Sequence, residues 1–175
     1  MTKSDSQELI NLADKLRRAR FPSEFVEAVR TAAGALLGTD GITLVVREGD
    51  CVRYVDESAI GPLWKGRSFH ISNCVSGWAM LNKQMAIVAD ISTDDRIPYA
   101  AYEPTFVKSL VMVPLPSDDP KAAVGFYWAT IRSPARHEIE IIKTLTELMG
   151  KFYRSPIGTC RIKTVDALLP LDLTG

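Results

Sequence analysis

The sequence predicts an α+β domain with a central, mainly antiparallel sheet of about six strands. Terminal helices should cover one face of that sheet, and a short helix with a long loop the other. Three observations lead there. Both flanks of the chain repeat apolar residues at helical spacing, whereas its middle is divided into short apolar runs. Two of those runs flank the turn Glu48-Gly49-Asp50, as the arms of a hairpin would. The stretch from Phe69 to Leu115 sets a short helical segment and a connector of about fifteen residues between strands, a length typical of binding loops.

Taken in order, Ser4 to Arg20 reads as a helix. Ser4 with Gln7 fits a capping box, and Leu9, Leu12, Ala13 and Leu16 follow the helical period. Phe21-Pro22 interrupts it. A second helix, Pro22 to Leu37, presents Phe25, Val26, Val29 and Ala33 on one side and ends at Gly38. Gly41 to Arg47 is a continuous apolar strand, and Cys51 to Asp56 its return partner. Trp64 lies in an irregular loop and reads as packing that loop onto the domain. Phe69 to Ile71 ends a strand, Ser72 and Asn73 cap a helix from Cys74 to about Asn82, and Met85 to Ala89 forms a short strand. Beyond the connector come strands over Lys108 to Leu115 and Ala122 to Ile131. Ser133 as N-cap and Pro134 in the first turn open the last helix, whose stripe is Ile142, Leu145, Met149 and Phe152. The chain thus divides into an N-terminal helix (1–20), a main domain (21–155) and a tail (156–175).

Composition narrows the function classes. A chain of 175 residues, 46% hydrophobic and 24% charged, suits one domain with a real core. Net charge is zero and no long like-charge run occurs, so nothing points to nucleic acid or an anionic membrane as partner. No apolar stretch is long enough to span a bilayer, and the start is polar rather than signal-like. Cys51, Cys74 and Cys160 are odd in number and widely spaced, which fits reduced thiols and a cytoplasmic location. With no C-x-x-C pair and no Cys/His cluster, no metal site is expected and no cofactor is indicated.

Five segments in fixed order carry a family resemblance: Val75-Ser76-Gly77-Trp78-Ala79, Gln84 to Asp90, Asp95-Arg96-Ile97-Pro98, Lys108 to Leu115, and Val124 to Trp128. Together they resemble the GAF domain over roughly Pro22 to Phe152, most closely in the manner of GAF segments of bacterial sensor kinases. The resemblance implies a sensory or regulatory module related in fold to PAS domains. Many such modules bind a small molecule between the sheet and its covering loops. Three branches of the family do not match. Free-methionine-sulfoxide reductases place a cysteine where this chain has Ser76, and the connector Asp90 to Val107 holds no cysteine either. It also lacks the Cys-His pair of bilin-binding members. Asn82-Lys83 matches only the first two letters of the phosphodiesterase signature.

The expected site lies between the strand of Leu110 and Met112, the Trp78 helix and the segment from Tyr99 to Phe106. Its walls would be Phe69, Trp78, Tyr102, Phe106, Met112 and Tyr127, and its polar groups Cys74, Ser76, Asp90, Arg96 and Ser109. N–H groups at the start of the Trp78 helix would favour an anionic group there. By the resemblance, Arg96 near the opening could hold one as well. No nucleophile–base pair can be assembled nearby, so no catalytic residue is assigned. The reading is a non-catalytic sensory domain for a small molecule of unknown identity, forming a homodimer through its first and last helices and passing its signal to a partner protein. One alternative is a thiol sensor or small redox enzyme using Cys74, since a helix start can lower a thiol pKa. Another is a dimerisation module without ligand.

Overall fold

The computed structural model describes residues 2–116 and 118–154, with side chains given through Phe152. The chain runs α1 (Lys3–Arg18), α2 (Pro22–Leu37), β1 (Gly41–Glu48), β2 (Cys51–Ala59), β3 (Ser68–His70), a 3-10 turn (Ile71–Asn73), α3 (Val75–Asn82), β4 (Ala86–Val88), α4 (Tyr99–Tyr102), β5 (Ser109–Leu115), β6 (Ala122–Trp128) and α5 (Arg136–Arg154). Six strands form one sheet in the order β3-β2-β1-β6-β5-β4, every pair antiparallel. The expected α+β architecture is present.

β5, β6 and β1 as far as Val46 are buried throughout because both of their faces are covered. Alternate residues of β1, β5 and β6 take opposite sides. Ile42, Leu44, Val111, Val113, Val124 and Phe126 join the core shared with α1, α2 and α5. Val45, Leu110, Met112, Ala123 and Tyr127 join a second core under α3 and the connector. The helices at the two ends therefore share one face, and α3 lies on the other.

Local chemistry corrects several boundaries. α1 is capped by Thr2, two residues before the expected Ser4. Thr2 Oγ1 accepts from the Asp5 N–H at 3.1 Å, and Asp5 Oδ2 accepts from the Thr2 N–H at 2.7 Å. The charged Asp5 carboxylate closes the box more strongly than Gln7 would one frame on. Ser72 and Asn73 form the 3-10 turn instead of capping α3, whose N-cap position is Cys74 without a side-chain cap bond. α5 opens at Arg136 rather than at Ser133-Pro134: Glu138 reaches back to the Ala135 N–H at 2.7 Å and is held by Arg132 as well. β6 stops at Trp128, short of the expected Ile131.

The homodimer expected through the first and last helices would use the apolar stripes of α1 and α5. Most of that surface is used inside one chain: Leu12 and Leu16 are 1% and 0% exposed, Ile142 and Leu145 both 0%. Phe152 at the end of the α5 stripe is only half-buried, and Ile10 of α1 is 57% exposed. The tail, residues 156–175, and Cys160 lie outside the described residues.

One close approach pins α3. A Cβ built on Gly77 would lie 1.7 Å from the backbone carbonyl oxygen of Ile71, and a carbonyl in a turn has no side-chain freedom with which to yield. Gly77→Ala should therefore cost about 3 kcal/mol or more, the upper end of overpacking effects, by urea denaturation. Leu145→Ala should cost about 2–5 kcal/mol in the same measurement, as a core truncation.

Candidate functional site

The site region is built on a carboxylate. Glu57, near the end of β2, accepts the backbone N–H groups of Leu63, Trp64 and Lys65, each at 2.8 Å. Three charge-assisted bonds hold the loop after β2 in one conformation and turn Trp64 under the sheet. Lys65 also pairs with the buried Asp56 at 2.6 Å. Trp64 Nε1 donates to the Ala101 carbonyl at 3.0 Å, which ties this loop to α4. The indole is the hub of an aromatic cluster, with ring centroids 4.5 Å from Tyr102, 5.4 Å from Tyr54 and 5.7 Å from Tyr127. Phe69 meets Tyr54 edge-on at 5.6 Å.

The hydroxyl ends of these rings gather with two small polar side chains. Tyr127 Oη and Thr43 Oγ1 are 2.8 Å apart. Tyr127 reaches Thr43 by lying across Gly125, where a Cβ would come within 2.2 Å of the phenol oxygen. Tyr54 Oη lies 3.5 Å from Ser76 Oγ, which is 3.4 Å from Cys74 Sγ. Tyr102 Oη is buried and makes no hydrogen bond of normal geometry among the described residues, although it lies near enough to the Tyr54 phenol for the two to interact. Burial pushes the Tyr54, Tyr102 and Tyr127 phenols above the ordinary tyrosine range. Burial also pushes the Cys74 thiol up, against weaker opposing bonds from Ser76 and from the N–H groups of Gly77 and Ser76. The lowering expected from a helix start loses to desolvation.

The structure therefore brings Cys74, Ser76, Tyr102, Met112 and Tyr127 into one buried cluster, with Phe69, Trp78 and Phe106 packed on its edges. The rings lie against one another. Three expected polar residues have other engagements. Arg96 makes a two-point pair with Asp94 and donates to the Ile87 carbonyl at 3.0 Å, and its guanidinium lies 4.7 Å from the Trp78 ring centroid on the outer side. That pair holds the Asp94 carboxyl below its ordinary value. Asp90 accepts from the Ser92 N–H and hydroxyl at 2.9 and 2.6 Å, which lowers its pKa. Ser109 Oγ donates to the Thr130 carbonyl at 2.8 Å. Tyr54, Trp64 and Thr43 complete the cluster although sequence reasoning did not include them. A tryptophan in a loop is too large to leave in water cheaply, and this was the available signal.

No protein-family model and no curated protein matches the sequence. Solved structures do match by shape. The GAF domain of an Acinetobacter phosphoenolpyruvate-protein phosphotransferase superposes with a TM-score of 0.72 at 10% identity, over 96% of this chain and 98% of that one. The free methionine-R-sulfoxide reductase of Neisseria meningitidis, solved with its substrate, gives 0.71 at 12% identity over 94% and 95%. The GAF domain of a two-component sensor histidine kinase from Bacillus halodurans gives 0.62 at 11% over 82% and 94%. The chain has a GAF-like fold, and that fold is shared by regulatory domains and by an enzyme.

Two measurements follow from the buried cluster. Unfolded tyrosines ionise near 10.0, whereas the three buried phenols keep their protons to higher pH. The unfolded state then binds fewer protons, so stability is full below pH 10 and falls above it, by about 1.4 kcal/mol per pH unit for each phenol. Phenolate absorbance should show these three tyrosines ionising only as the protein unfolds. Iodoacetamide with peptide mapping should modify exposed Cys51 in the native protein and buried Cys74 only after denaturation.

Proposed function

We propose that this chain, starting from its GAF-like fold, is a ligand-sensing regulatory domain rather than a catalyst, and that its site is the hydroxyl cluster beneath α3. The observation that carries this reading is the Tyr102 hydroxyl, buried among other hydroxyls with no hydrogen bond of normal geometry among the described residues. An unpartnered buried donor costs about 1–3 kcal/mol, which a bound molecule offering an acceptor would recover. The groups around it are uncharged at neutral pH: two more phenols and a thiol with raised pKa values, and two aliphatic hydroxyls. Such a lining favours a small neutral molecule with hydrogen-bonding edges and a flat body to lie among the rings. The anionic ligand expected earlier is disfavoured, because Arg96 is engaged outside the cluster.

The same geometry offers a route for a signal. Admitting a ligand requires Tyr102, and hence α4 and the connector, to shift. Tyr127 faces the cluster while its neighbour Trp128 faces the helices, where Trp128 Nε1 donates to the Leu37 carbonyl at the end of α2 at 3.2 Å. A displacement of Tyr127 is thereby felt at α2, the surface from which a signalling partner would read it. Self-association through the first and last helices stays part of this reading, by way of the apolar surface that Ile10 and Phe152 leave open. The redox alternative draws little support from Cys74, whose thiol is held neutral.

Native mass spectrometry of freshly purified protein should show a retained neutral molecule. In the ligand-free protein, Tyr102→Phe should raise stability by about 1 kcal/mol by removing the unpaired hydroxyl, and should weaken ligand binding about tenfold or more. A protein that retains nothing, and whose thermal shifts in a screen of neutral heterocycles are the same with Phe at this position, would refute the proposal.

A further inference from the structure

A second opening lies on the helical side of the sheet. A cavity of about 490 Å³ runs between the β4–β5 edge and α5. Its apolar wall includes Met85, Val113 and Leu115, and its rim carries Lys83, Lys143 and Lys151 against one carboxylate, Glu147. Lys143 is paired with Glu140 at 3.0 Å. The ammonium groups of Lys83 and Lys151 have no ion pair or hydrogen bond among the described residues.

Two lining residues go against local preference. Lys83 ends α3 at φ 54, and it is the one non-glycine residue with positive φ among the described residues. Glycine or asparagine is the usual choice there, because a Cβ is strained in that conformation. Gly150 lies inside α5, where glycine weakens a helix relative to alanine. Among the described residues no packing demands it: a Cβ built there meets none of their atoms within 4 Å. One departure puts a cation on the rim, and the other widens the groove. Local rules broken twice around one cavity point to a use for it.

We infer that this groove binds a small amphipathic carboxylate, its apolar body against Met85, Val113 and Leu115 and its anionic head between Lys83 and Lys151. The charge imbalance of the rim selects the sign of the head, and the recess suits a free monomeric acid rather than a membrane surface. The site is separate from the cluster under α3.

Calorimetric titration of the full chain with decanoate below its micellar range tests this. One decanoate should bind per chain, more weakly as salt is raised, while decylammonium should not bind. Gly150→Leu should fill the groove and abolish binding while the thermal midpoint is kept or raised. The double variant Lys83→Glu, Lys151→Glu, at two exposed positions, should weaken binding at least about tenfold and decides the matter should Gly150→Leu fail to fold. Tyr102→Phe should leave decanoate affinity unchanged. The inference is overturned if decanoate does not bind, if it binds the folded variants as it binds the wild type, or if the chain prefers phosphatidylglycerol vesicles to the free acid. It is also overturned if Gly150→Leu only converts a dimer to a monomer in sedimentation, since the groove would then be an interface between copies.

Discussion

The rest of the structure depends on the central strands being buried on both faces. Each residue of β1, β5 and β6 is committed to one of two cores by its parity alone. A slip of one residue would exchange the two sets, placing Tyr127 among the helices and Phe126 under α3. Register is therefore held by the sum of both cores. The β2 strand breaks parity once, through an irregularity opposite Leu44 and Val45, and Val55 and Tyr54 take opposite sides next to it.

The two cores differ in kind. The helical core is mainly aliphatic, with Phe25, Phe126 and Trp128 among its leucines, valines and alanines, and tolerates small chemical change as long as volume is kept. The core under α3 adds to its aliphatic residues the rings of Tyr54, Trp64, Tyr102 and Tyr127 with their polar groups, so its stability depends on direction as well as volume. It is kept in place from outside, by Glu57 gathering three N–H groups and by Gly77 admitting the Ile71 carbonyl. Its framework is fixed by the sheet and by Glu57, while the connector that closes it is joined to that framework by few bonds.

Much of the architecture was legible because period is a one-dimensional signal. The heptad-like spacing of Leu9, Leu12 and Leu16 and the unbroken run from Gly41 to Arg47 each correspond to an element where expected. Caps were read less well, since Thr2-x-x-Asp5 and Ser4-x-x-Gln7 offer overlapping frames and only the stronger acceptor decides. At the candidate site, the tyrosines and Met112 could be placed from strand parity and loop position. Trp64 could not be placed at the centre, because its position follows from Glu57, seven residues away, closing a loop by a contact that leaves no periodic trace. Arg96 was expected to face a ligand, and in the structure it pairs with Asp94, an acceptor two residues away in sequence.

The arginine has a different consequence at the margin of the sheet. β3 and β4, the outermost strands, are three residues long each. A bare sheet edge is a template on which a further strand can be added, from another copy or from an unfolded chain. On β4 the carbonyl of Ile87 is taken by Arg96, and the guanidinium that takes it is flattened against Trp78. A strand approaching that edge would find a short ladder with one of its acceptors already engaged and a positive charge in its path. The connector thus serves solubility as well as closure, and replacing Arg96 would expose the protein to edge-to-edge aggregation before it altered anything within the core.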